Sequence, residues 1–443
     1  MRLRRPDNAI RFKHEPSYNI DININMSSPL KSSLGLVPGP QSFASRRPFL
    51  TALALSLGAA ISLGLSRFSY ALLLPPMRDD LGWTYFLSGA INTGNALGYF
   101  IGALITPALM RRAGAQSALV GGAVLAGVFM MLSGLTVNTE LLILQRVLAG
   151  IASAFIFISG GVLAARLSLL HPDRAGLLIG IYYGGTGVGI VVSALLVPFA
   201  LAAAHAQGAA HAWQWAWVAL GAVCLVATLA MALPAKHVDG APSAPNPHGN
   251  FRVKPFVFGL AGYFMFGVGY IGYMTFVIAL LKEQGMSGAT ITWFYSLLGV
   301  AVMASSRIWA RMLDRFKGGQ SMAILNGVLG VATLLPALTA AAPLIFASGV
   351  LFGAIFLSVV ASTTALVRHN LPTHAWSSGI SAFTTVFALG QIVGPSVIGW
   401  IADGPGGLQR GLIYSALALF IGALLASRQP ALAYASSRGN AAL

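Results

Sequence analysis

Arg67 is the residue whose type and position most demand chemistry. It stands in Gly64-Leu65-Ser66-Arg67-Phe68-Ser69-Tyr70, inside an apolar run from Phe49 to Leu74 that Pro75 and Pro76 are expected to close. A helix of about 20 apolar residues crosses a bilayer core. A charge inside such a segment costs roughly 2.5 kcal/mol or more, so Arg67 needs compensation. It can face a wet cavity as a solute or coupling site, or it can be structural, snorkelling or pairing with Asp79, Asp80 or Glu140.

Arg146 poses the same question in a second apolar run, where Gly150 follows about one turn later and lets a neighbouring helix approach. Its structural alternative is a pair with Glu140. Around these two cations the polar residues on apolar runs are Tyr70, Asn92 and Asn95, Tyr182 at the head of a glycine-rich stretch, Tyr270 and Tyr273, and Gln391 beside Pro395. They are the candidates for lining a solute path. Ala90, Gly94, Gly98, Gly102 and Thr106 recur every four residues as a stripe for close helix packing.

None of the 11 acidic residues lies near the middle of an apolar run, so no mid-membrane carboxylate relay is present. Asp79, Asp80, Glu140 or Glu283 could still titrate at the outer mouth, which keeps a coupling proton among the expected partners. No Ser/His/Asp, HExxH or Walker pattern occurs, so neither an enzyme nor a cofactor is expected, and ATP-driven transport would need another chain. Cys224, the single cysteine, is expected to be a small buried thiol.

The elements that must position these residues are membrane helices. With 56% hydrophobic and 9% charged residues among 443, a water-soluble fold would lack polar surface to cover itself. The net charge of +16 sits mostly beside apolar runs, where it reads as a topology signal and not as a nucleic-acid footprint. Residues 1–47 form a basic tail with no apolar period, expected to be disordered, and Met26 is an alternative start. Twelve apolar runs of spanning length then follow, six in residues 48–234 and six in 253–428, joined by a polar linker at 235–252 and ended by a short tail at 429–443. The fold expected is therefore an all-α membrane protein of two six-helix bundles. With the N-terminus inside, the inner loops hold 11 Lys or Arg and the outer loops three, which places both termini in the cytoplasm.

The two bundles are copies in one ungapped register. A shift of 203 residues brings Gly64 onto Gly267, Tyr70 onto Tyr273, Gly82 onto Gly285, Arg112 onto Arg315 and Gly150 onto Gly353. Arg67 meets Tyr270 and Arg146 meets Gly349, so charge recognition is assigned to the first half and hydrogen bonding or stacking to the second.

Along residues 48–428 the chain resembles the major facilitator superfamily. Met110-Arg111-Arg112-Ala113-Gly114 stands where that family keeps its loop motif between the second and third helices, and Leu313-Asp314-Arg315-Phe316 is the echo in the other half. Arg146 with Gly150 resembles the fourth-helix motif, and Gly390 to Pro395 the glycine-proline motif of exchangers. Gly64 to Tyr70 running into Leu74-Pro75-Pro76-Met77 resembles the YbfB/YjiJ branch. The resemblance implies alternating access about a central site, with Arg112, Asp314 and Arg315 as gating residues. Arg111 replaces the acidic residue of the loop motif, which weakens the gate implied for the first half.

Together these features predict a monomeric secondary transporter in a bacterial inner membrane, moving a small anionic solute with Arg67 and Arg146 as charge contacts. The rivals are efflux of amphipathic, drug-like compounds, with structural arginines, and a membrane sensor or scaffold on a transporter fold.

Overall fold

The apolar runs become twelve long helices in the computed structural model, which describes residues 47–239 and 251–432. The basic leader up to residue 46, the Met26 start, linker residues 240–250 and the chain from 433 onward lie outside the described residues. The first half holds α1 (Pro48–Leu81), α2 (Tyr85–Ala113), α3 (Ala115–Ser133), α4 (Thr139–Leu170), α5 (Ala175–Ala206) and α6 (Ala212–Asp239). The second holds α7 (Val257–Glu283), α8 (Gly288–Ile308), α9 (Gln320–Leu338), α10 (Ala342–Asn370), α11 (Trp376–Ala402) and α12 (Gly407–Ser427). Eleven of the twelve are apolar enough to span a bilayer by composition; α2 is the exception, diluted by the buried Asn92, Asn95 and its glycines.

Short polar signals set the ends. Thr84 caps α2 by accepting from the Leu87 N–H at 3.1 Å, and Asn138 caps α4 by accepting from the Leu141 N–H at 2.9 Å. Gly82 after α1 and Gly285 after α7 both turn the chain with positive φ, 64° and 79°. They are the same position in the repeat.

The register of the two copies is also visible in packing. A Cβ on Gly150 would come 2.1 Å from the Asn95 carbonyl oxygen, and one on Gly353 would come 2.3 Å from that of Leu298. Asn95 and Leu298 are themselves one repeat apart. The same α2–α4 contact is thus built again as α8–α10. Gly98, one turn along α2, is tighter still, its Cβ position 1.9 Å from the Val147 carbonyl oxygen. Gly98→Ala is therefore expected to lower the apparent melting temperature of the purified protein, whereas Gly121→Ala, whose Cβ meets nothing within 4 Å, should leave it unchanged. Equal melting temperatures would contradict this packing.

Three features depart from the sequence expectation. The helix α1 does not stop at Pro75 and Pro76 but continues to Leu81. The missing N–H groups are tolerated because Leu74, Pro75 and Met77 are buried among neighbouring helices, and the extension carries Arg78, Asp79 and Asp80 to the end of the bundle. At the other end of the half, α6 runs past Pro234 to Asp239, held by the buried Ala235 and Val238. Finally, residues 429–432 are docked and not a free tail. Gln429 accepts from the Gly259 N–H at 3.0 Å and donates to the Pro255 carbonyl at 2.9 Å, and the Leu432 N–H donates to the Asn370 side chain at 2.6 Å.

The halves meet through α1–α7, α2–α11 and α5–α8. Cys224 is fully buried within the first half, as expected.

Candidate functional site

The middle of α1 is wound as a π-helix from Ala60 to Phe68, with the Ser69 N–H reaching back to the Gly64 carbonyl at 3.1 Å. Wide turns of this kind are rare and recur at functional sites. In the other copy the equivalent stretch of α7 is ordinary α-helix. Serines stabilise the wide segment: Ser62 donates to the Ser153 carbonyl on α4 at 2.8 Å, and Ser69 donates to the Leu65 carbonyl at 2.5 Å. Arg67 rides on this segment.

Arg67 is 4% exposed, and its Nε and Nη2 have no hydrogen-bond partner. The structural pairings considered for it are not made. Asp79 binds Lys282 at 2.8 Å and Arg78 at 3.6 Å. Asp80 takes His211 at 2.6 Å and the Trp213 indole N–H at 2.5 Å. Glu140 is exposed at the start of α4. What surrounds Arg67 is aromatic: its guanidinium lies 5.9 Å from the centre of the Tyr99 ring on α2, and Tyr270 on α7 is within electrostatic reach. Tyr183 on α5 and Tyr270 are neighbours of Tyr99. An unpaired buried cation costs several kcal/mol, and nothing charged among the described residues offsets it here.

Arg146 shares the unpartnered Nε and Nη2 and differs in what its guanidinium meets. It is 2% exposed, donates to the Ser66 carbonyl at 3.0 Å, and lies over the Trp217 ring on α6 at 4.1 Å. That orientation is into the first half, toward α6, and no Glu140 pair forms. Asn95 donates to the Arg146 carbonyl at 3.2 Å, and Tyr70 donates to the Ser88 carbonyl at 2.8 Å. These three residues tie α4, α2 and the wide segment of α1 together. Arg146 thus holds a carbonyl next to Arg67. Arg146→Gln is expected to destabilise the protein by about 1–3 kcal/mol, the cost of unsatisfying a buried group, and to weaken solute binding only through that displacement. A variant with unchanged melting temperature but lost binding would contradict a positioning role.

The remaining expected residues divide between the two roles. Tyr182 is fully buried and donates to the Phe157 carbonyl at 2.7 Å, which makes it an α4–α5 strut. Tyr273 pairs with Ser348 at 2.8 Å and stacks on Phe352 at 4.0 Å within the second half. Tyr270 and Gln391 do come together, the Tyr270 hydroxyl donating to the Gln391 side-chain oxygen at 2.9 Å. Asn92 donates to the Thr275 hydroxyl at 2.6 Å and joins the halves instead of lining free space. Tyr99 and Tyr183 escaped the sequence reading. The signal for Tyr99 was its spacing, four residues beyond Asn95 and seven beyond Asn92, on the same helix face.

At the end away from the termini the halves are bolted together. Asp403, just after α11, accepts from the Tyr85 N–H at 2.7 Å and the Phe86 N–H at 2.8 Å, the unsatisfied donors at the start of α2. The Tyr85 hydroxyl donates to Glu283, and Arg78 lies over the Tyr85 ring at 3.9 Å. Lys282 and Asp79 add their pair across α7 and α1. Deeper in, Thr93 donates to the Ile392 carbonyl at 2.9 Å, and Tyr295 donates to the Phe68 carbonyl at 2.7 Å. At the opposite end, Arg112, Asp314 and Arg315 are exposed and make no ion pair among the described residues.

Residues 59–427 match the family described as "Uncharacterised MFS-type transporter YbfB". A chloramphenicol efflux pump of Mycobacterium tuberculosis is 27% identical over 300 residues, 63% of this chain and 68% of that protein. An Agrobacterium vitis protein described as a tartrate transporter is 29% identical over 157 residues; the match spans 33% of each chain. Among solved structures, a bacterial homologue of the human lysosomal transporter Spinster, captured inward-facing and unoccupied, superposes with a TM-score of 0.66 at 17% identity, covering 88% of this chain and 98% of that one. The nucleoside transporter NupG superposes with a TM-score of 0.65 at 13% identity, covering 87% and 99%.

Proposed function

The chain belongs to the YbfB-type branch of the major facilitator transporters, and on that premise we propose that it carries a small organic anion across a bacterial inner membrane with Arg67 as the charge contact. The observation that carries this is a guanidinium 4% exposed, with two nitrogens unpartnered and no carboxylate beside it. An anion entering the space between the halves supplies the missing counter-charge, with the fork geometry that guanidinium offers a carboxylate.

With both termini placed in the cytoplasm by the loop charges, the bolted end is the outer gate. Transport then requires the α2–α11 and α1–α7 contacts at the outer end to part while the inner ends close, with Arg112, Asp314 and Arg315 meeting new partners there. A coupling proton would act on the carboxylates of the outer gate, since Glu283 and Asp403 hold it shut as acceptors. The cycle needs no cofactor, enzymatic step or second subunit.

Efflux of an amphipathic compound is the second reading, favoured by the aromatic walls around Arg67 and by the chloramphenicol-related names among the relatives. The two separate in a thermal-shift screen of purified protein against organic anions, sugars, nucleosides and cationic drugs, run beside Arg67→Ala. Stabilisation by anions that disappears in the variant supports the anion contact. Stabilisation by neutral or cationic compounds alone, equal in both proteins, supports efflux.

A further inference from the structure

Resting on the anion contact proposed above, we infer that the solute is a planar aromatic monocarboxylate, its acid group on Arg67 and its ring against Tyr99 and Phe387, the rim of the stacked set that Tyr270 anchors.

The charge number follows from the cations available. Arg67 is the buried guanidinium beside the Tyr99 ring; Arg146, whose Nε and Nη2 are also unpartnered, is turned onto Trp217 and the Ser66 carbonyl inside the first half. A dicarboxylate held here would bury a second charge with no cation beside it, which is unfavourable. An aromatic amino acid fares no better, because the acidic residues of the described chain stand at helix ends and loops and offer its ammonium no partner. One acid group and no amine is what the charges fit.

The shape follows from the walls. On the second half, the Tyr270 ring lies nearly parallel to those of Phe356 (6.0 Å, 6°), Phe266 (4.8 Å, 19°) and Phe387 (5.6 Å, 21°). Rings that share one orientation form a template on which a further flat ring can stack, and offset stacking adds to simple area burial. Phe387 and Tyr99 are only half-buried, so ring surface is left to contact. Tyr183, 37% exposed, closes the α5 side. The Tyr99 hydroxyl makes no hydrogen bond among the described residues and is free to donate to the second carboxylate oxygen of a solute held on Arg67, whose guanidinium lies 5.9 Å from the Tyr99 ring centre.

The test uses full-length protein in lipid nanodiscs, with binding measured for benzoate, cyclohexanecarboxylate, benzamide, phenylalanine and tartrate. Wild type should bind benzoate about five-fold more tightly than cyclohexanecarboxylate, which matches it in charge and size but lacks the flat π face. Benzamide, phenylalanine and tartrate should bind at least about ten-fold more weakly than benzoate. Phe387→Leu should remove the preference for benzoate over cyclohexanecarboxylate while keeping that over benzamide, and Tyr99→Leu reads the same loss should Phe387→Leu not fold. Equal binding of the two acids, or tartrate binding that is tight and lost in Arg67→Gln, overturns the aromatic inference and leaves the anion contact standing. Benzamide binding as tightly as benzoate, with Arg67→Gln changing neither, overturns both.

Discussion

Arg67→Gln is expected to weaken anion binding and to leave the unliganded protein at least as stable as wild type. Both effects come from one fact, that the charge is buried and unpartnered. Hydrogen bonds to a charged group are worth about 1.5–3 kcal/mol, so the variant should bind benzoate roughly 10- to 100-fold more weakly. Without solute, the same charge is a liability, and a neutral amide in its place relieves the desolvation. The apparent melting temperature of the empty variant should therefore equal or exceed that of wild type. A structural arginine behaves in the opposite way, with the variant melting lower and ligand response unchanged. Arg67→Lys separates charge from geometry: a point charge on a flexible stem retains attraction but loses the two-pronged contact, and intermediate affinity is expected.

Gly89→Leu abolishes transport without unfolding either half. On α2, a Cβ at Gly89 falls 2.2 Å from the Pro395 carbonyl oxygen on α11, and Gly399 meets the Tyr85 carbonyl at the same 2.2 Å one crossing further out. Neither backbone can retreat without parting the halves, so a side chain at Gly89 wedges the outer gate open. The expected signature is loss of exchange to background, with melting temperature close to wild type, and gain of labelling from the outer side at a cysteine placed at Thr93. Asp403→Asn acts on the same gate more gently. It keeps one acceptor oxygen for the start of α2 but turns an amide NH2 toward the other N–H, so one of the two hydrogen bonds is lost together with the charge that the N-terminal helix dipole favours, a cost of about 1–3 kcal/mol. Outer accessibility should rise several-fold while transport continues. Gly89→Leu transporting at the wild-type rate would mean that the α2–α11 contact does not separate during the cycle.

The repeat was legible because packing and composition agree. The glycine at 150 matched that at 353 in sequence, and the carbonyls they approach, of Asn95 and Leu298, stand at the same spacing. Glycine is required at such a contact, so the match survives in the residue type. Arg67 was legible for a related reason: a charge within an apolar run is conspicuous whatever it does.

The roles of its neighbours were not legible in the same way. Arg146 looked equivalent to Arg67 in the sequence, but residue type does not say which way a guanidinium turns, and Trp217 and the Ser66 carbonyl claim it. Tyr70, Tyr182 and Tyr273 are likewise consumed by carbonyls or hydroxyls inside their own halves. A tyrosine in a membrane helix must place its hydroxyl somewhere, and within one half a partner is usually nearer than a solute. The π-wound stretch at Ala60–Phe68 left no trace, since its composition also suits an α-helix. Asp403 was passed over as a loop residue; its role depends on the start of α2, more than 300 residues away in sequence.

The most direct measurement is counterflow of labelled benzoate into proteoliposomes preloaded with unlabelled benzoate, comparing wild type with Arg67→Gln. Transient accumulation in wild type, absent in the variant, is the expected result, because exchange requires only binding and alternating access and needs no coupling ion. Variant vesicles that accumulate benzoate as wild type does would contradict anion transport through Arg67, while wild-type vesicles that fail to accumulate it would overturn the aromatic solute alone.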